Sequence, residues 1–113
     1  MKRILAAAAL SMAVVAPSFA AEAIVGTWKR KNGTIIKFSG NGTYCGRVMN
    51  GKYKGKSIGC MSGKGGKYRG KINVLDEGKT YTGKASATKS SMKLSGCVLG
   101  GIICKSERLA RVR

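Results

Sequence analysis

The sequence has no histidine, only four acidic residues and a single proline. Without histidine, a Ser–His or Cys–His relay has no base, and the commonest metal ligand is missing. The acids beyond residue 20 are Glu22, Asp76, Glu77 and Glu107. Asp76 and Glu77 are neighbours in an expected turn, whereas a paired-carboxylate hydrolase holds its two acids on opposite walls of a cleft. The four cysteines, Cys45, Cys60, Cys97 and Cys104, form no C-x-x-C pair, which argues against a zinc knuckle or a redox motif. Gly63-Lys64-Gly65-Gly66-Lys67 lacks both the spacing of a phosphate loop and a following helix, and reads as a flexible basic loop. Serine and lysine are abundant, but no spacing singles out a Ser–Lys pair. The expectation is a protein that is not an enzyme, with no catalytic, cofactor or metal residues.

A long apolar run is also missing after Ala20. Before it, Lys2 and Arg3 precede an apolar run from Ile4 to Ala16, and Ser18 and Ala20 flank Phe19. This is the pattern of a secretory signal peptide, residues 1–20, cut after Ala20. The run is about 13 residues, against the roughly 20 needed to span a bilayer as a helix. A single domain over residues 21–113, periplasmic or secreted and without a transmembrane segment, is expected. A domain of this size buries only about 60–65% of its unfolded surface, so reinforcement is expected. An even number of cysteines in an oxidising compartment predicts two disulfides, with three pairings open. A turn at Gly100-Gly101 sets Val98 against Ile103 and Cys97 against Cys104, which leaves Cys45 to pair with Cys60. Closing a loop of about 15 residues contributes about 3 kcal/mol on the chain-entropy estimate.

The scarcity of acid makes the chain strongly basic. Loss of Lys2 and Arg3 takes the 22 basic residues to 20 against four acids, a net +16. That balance favours anionic lipid, lipopolysaccharide or glycan as partner. Nucleic acid is not expected of an exported chain.

One phrase recurs: tyrosine, any residue, glycine, then lysine or arginine. It occurs at Tyr44, Tyr53, Tyr68 and Tyr81, and every tyrosine lies in a copy. In a strand, tyrosine and glycine share one face while the basic residue faces the other way. Strands are expected at Ile24–Lys31, Thr34–Ser39, Thr43–Met49, Lys52–Ile58, Lys67–Leu75, Lys79–Thr88, Ser91–Val98 and Ile102–Val112, with a glycine-rich loop at 59–66. Tyr68, Gly70, Ile72 and Val74, then Tyr81, Gly83, Ala85 and Ala87, then Met92, Leu94, Gly96 and Val98 face inward. The fold class is all-β: eight sequential antiparallel strands close into an up-and-down barrel, which removes exposed edges. Such short strands favour a filled or nearly filled interior over a deep cavity.

Three stretches, Gly26-Thr27-Trp28, Asp76 to Tyr81, and Gly96 to Ser106 with Arg111, resemble the bacterial domain of unknown function 2147 family. The resemblance implies an exported, lipocalin-like β-barrel and lends no activity. Leu109 stands where members of the family usually carry tryptophan. Gly-x-Trp in the first strand is also similar to the lipocalins, and on that analogy Arg111 (or Arg108) stacks on Trp28 at the closed end of the barrel. The functional expectation is a non-catalytic binding module for a small hydrophobic or amphipathic ligand. The alternative is a basic surface, with Arg47, Lys56, Arg69, Lys71 and Lys84 meeting an anionic envelope component.

Overall fold

A computed structural model describes residues 22–112; the expected leader and its cleavage after Ala20 lie outside them. The strands are β1 (Gly26–Lys29), β2 (Ile35–Gly40), β3 (Thr43–Val48), β4 (Ser57–Lys64), β5 (Lys67–Val74), β6 (Lys79–Ala87), β7 (Ser91–Val98) and β8 (Ile103–Arg111). Each pairs antiparallel with the next, and β8 returns to β1, so the sheet is a closed eight-stranded barrel. Period-2 alternation produces it. Tyr68 and Ile72 of β5 are buried, while Lys67, Arg69 and Lys71, at the alternate positions, are exposed. An apolar inside and a basic outside is the reverse of a lipid-spanning barrel, and no described helix is long and apolar enough to cross a membrane.

The core fills one end. Trp28, Phe38, Tyr44, Met61, Tyr68, Met92 and Leu109 are buried there, and the rings of Tyr44 and Tyr68 meet edge to face at 5.8 Å. Residues just before β1 plug this end: Trp28 Nε1 donates to the Ile24 carbonyl at 2.9 Å. The Tyr68 hydroxyl donates to Glu22 at 2.8 Å, and the same carboxylate oxygen accepts from the Gly65 amide at 2.9 Å. Both disulfides, Cys45–Cys60 and Cys97–Cys104, bridge residues directly opposite on neighbouring strands, with Cα atoms 4.0 Å apart in each.

The middle of the chain departs from the sequence expectation. The expected strand at Lys52–Ile58 is mostly a turn, and the expected loop at 59–66 is mostly strand β4. The glycines misled because they serve two purposes. Gly55 has φ +88° with open space where a side chain would sit, so it serves a left-handed turn. At Gly59 a Cβ would lie 2.1 Å from the Lys71 carbonyl oxygen, so this glycine lets β4 and β5 approach closely within the sheet. The segment read as a flexible basic loop is a tight hairpin, with Lys64 paired to Lys67 around Gly65-Gly66. The interior is not filled throughout either. Val98 faces inward as expected, yet it is exposed, because it stands where the barrel opens.

Candidate binding site

Up-and-down topology sends alternate connections to opposite ends. The β2–β3, β4–β5 and β6–β7 connections close over the filled core. The longer β1–β2 and β3–β4 connections, with β5–β6 and β7–β8, surround the other end. Between them opens a cavity of about 830 Å³, within the usual range for small-molecule sites. Its floor is aliphatic: Ile36, Val48, Ile58, Ile72 and Leu94. Gly96 adds a stretch of wall without a side chain.

The polar groups of the cavity come from two sides. On the β1–β8 side, Arg30 reaches Glu107 through two hydrogen bonds, Nε to Oε2 at 2.6 Å and Nη2 to Oε1 at 2.9 Å. Alternation explains the placement, since Glu107 shares its face of β8 with Leu109 and Arg30 follows Trp28 by two. Strands β1 and β8 pair directly only at Trp28–Arg111 and Lys29–Ala110, so this ion pair continues the seam beyond the backbone ladder. Glu107 pushes the Arg30 pKa up, chiefly through the side-chain hydrogen bond. Both side chains are about a third exposed, and a pair so placed contributes at most about 1 kcal/mol to stability. Lys105 lines the same wall.

Across the opening, the β5–β6 turn supplies the other two carboxylates. Tyr53 donates its hydroxyl to Asp76 at 3.0 Å, and Tyr81 donates to Glu77, whose carboxylate raises the Tyr81 pKa. The tyrosines of the repeat therefore divide: Tyr44 and Tyr68 fill the closed end, whereas Tyr53 and Tyr81 line the cavity. Arg30, Lys52 and Lys105 balance Asp76, Glu77 and Glu107 around the cavity, so its lining is charge-neutral and the net positive charge lies elsewhere. No group of three or more side chains suited to a metal gathers among the described residues. The arrangement can hold an apolar body on the floor and a polar head among the charged groups.

The other sequence candidates lie away from the cavity. Arg111 stacks on Trp28, with the guanidinium carbon 4.3 Å from the ring centre. It also donates to the carbonyl oxygens of Val25 at 3.0 Å, and of Ala23 and Lys89. Arg69 and Lys84 are direct cross-strand partners, with Lys71 next on the outer face of β5. Arg47 and Lys56 lie apart from them, near the start of β4, where Arg47 donates to the Gly55 carbonyl at 2.7 Å. Lys67 and Lys93 join Arg69 and Lys84 along a shallow outer groove that includes Ser62, Ser86 and Ser95. The sequence reading did not single out Arg30, Lys105 or the pairing of Glu107. The signal available was the apolar–charged alternation Ile103, Lys105, Glu107, Leu109 on one face of β8.

Residues 56–111 match the family model described as "Uncharacterized protein conserved in bacteria (DUF2147)". The match takes in β4 to β8, with both the Asp76 turn and the Cys97–Cys104 hairpin, and leaves out Gly26-Thr27-Trp28. No curated protein and no solved structure matches the chain.

Proposed function

The chain belongs, over residues 56–111, to this uncharacterised bacterial family, and we propose that it is an exported, non-catalytic binding module for a small amphipathic ligand. The observation that carries the proposal is the half-filled barrel. A packed end supports an open end with an aliphatic floor and a charge-neutral polar lining. An apolar tail of modest length fits the floor. Arg30, Lys105 and Glu107 offer donors and an acceptor to a head group on one side, and Asp76 and Glu77 offer acceptors on the other. Export is supported by the basic, apolar and small-residue sequence of the leader and by the two disulfides.

The test is titration of the oxidised 21–113 protein with N-phenyl-1-naphthylamine, an uncharged fluorophore, at low and high salt. Saturable binding that ignores salt and is abolished by Leu94→Trp, which fills the floor, is the expected result. Absence of saturable binding, or binding unchanged in Leu94→Trp, refutes it. The outer groove favours a second reading, the basic wall of Lys67, Arg69, Lys84 and Lys93 on a phosphorylated or sulfated surface. Salt-sensitive retention on a polyanion, lost on replacing Arg69 and Lys84 by glutamine, is its signature.

A further inference from the structure

The β7–β8 hairpin ends in a feature that the cavity does not explain. Leu99 and Ile102, at its tip, are 68% and 83% exposed. Val98 and Ile103 below them are also exposed, and they line the cavity as well. Four large aliphatic side chains thus run without interruption from solvent into the ligand site. The tip is held in shape. Cys97–Cys104 ties the strands immediately beneath it, and the Ile102 amide closes the turn on the Leu99 carbonyl at 3.4 Å. Leu99 itself has φ +54°, a conformation that branched or bulky residues rarely adopt.

The surroundings of the tip are basic. Lys84 Nζ donates to the Gly101 carbonyl at 3.3 Å, and Lys105 follows the disulfide. The other connections at this end carry Lys31, Lys52, Lys54 and Lys56 against Asp76 and Glu77, while Arg30 is paired with Glu107; Asp76 and Glu77 both accept bonds from tyrosine hydroxyls. Aliphatic side chains at a rigid tip, on an end of the barrel where lysines outnumber acids, match an anionic lipid surface, where the apolar groups enter the acyl boundary and the lysines stay among the head groups.

We propose that the open end of the barrel docks on anionic membranes through the β7–β8 tip, with Leu99 and Ile102 inserted. The cavity then faces the bilayer, and Val98 and Ile103 form a continuous apolar path between the two. The tip is too small for a protein interface, which buries about 800 Å² on each partner. Docking needs no occupant in the cavity, so it stands or falls separately from the binding role.

The experiment is sedimentation of the oxidised 21–113 protein with vesicles of phosphatidylglycerol and phosphatidylcholine, against phosphatidylcholine alone. Wild type is expected to partition onto the anionic vesicles only. Leu99→Asn with Ile102→Ser is expected to lower that partition roughly tenfold or more, while naphthylamine binding in the cavity is retained. Asparagine suits the left-handed backbone at 99. As a second measurement, Ile102→Trp should shift its emission to the blue with anionic vesicles, because Trp28 is already buried at the far end. Three results overturn the proposal: no partition of wild type, partition unchanged in the double variant, or a concentration-dependent dimer abolished by the double variant in a protein that ignores vesicles.

Discussion

Replacement of Arg111 by alanine removes the residue on which the closed end converges. Its guanidinium covers Trp28 at 4.3 Å and ties the segment before β1 to the β6–β7 turn through the Val25, Ala23 and Lys89 carbonyls. A cation–π contact in a partly desolvated site contributes about 1 kcal/mol. Hydrogen bonds from a charged donor contribute about 1.5–3 kcal/mol each when buried, and the partial exposure of Arg111 reduces the three together to about 2 kcal/mol. The expected loss is therefore about 3 kcal/mol, out of the 5–14 kcal/mol or so available to a domain of this length. Urea denaturation of the oxidised protein, followed by the fluorescence of Trp28, measures it directly, because the chain has no other tryptophan. With an m-value of about 1–1.5 kcal/mol/M, the midpoint falls by about 2–3 M. Arg111→Lys keeps a cation over the ring but not the fork that reaches several carbonyls, and should lose about half as much. A loss below about 0.5 kcal/mol for Arg111→Ala would refute the closed-end role. A lysine variant as stable as wild type would show that the fork contributes nothing.

Two further predictions test the repeat. Gly70→Ala places a Cβ 2.1 Å from the Cys60 carbonyl oxygen, whereas Gly55→Ala meets nothing within 4 Å and only strains a left-handed φ. The first should cost more than about 3 kcal/mol or prevent folding, and the second about 1 kcal/mol; equal urea midpoints would contradict the assignment. Burial, with the bond to Glu22, raises the Tyr68 pKa above its ordinary 10.0. The folded state therefore keeps the phenolic proton that the unfolded chain gives up. The resulting stabilisation is full below pH 10 and declines as pH rises through the raised value. Comparison of wild type with Tyr68→Phe across this window should show the steeper alkaline decline in wild type, and parallel profiles would exclude it.

Local pattern was enough for most of the barrel. Period-2 alternation at Tyr68–Val74 and Met92–Val98, the turn at Gly100-Gly101, and the opposition of Cys97 and Cys104 all concern residues near in sequence. Pairing in an up-and-down sheet is between consecutive strands, so neighbourhood along the chain nearly specifies neighbourhood in space. Glycine was ambiguous because the same residue permits a turn at Gly55 and a close strand approach at Gly59, and only the neighbouring backbone distinguishes them. The tertiary structure alone decided that Arg30 meets Glu107 from 77 positions away, because that contact exists only once β8 closes on β1. It also decided that one end is packed and the other open: the volume between side chains depends on how eight strands curve together, and no single strand carries that information.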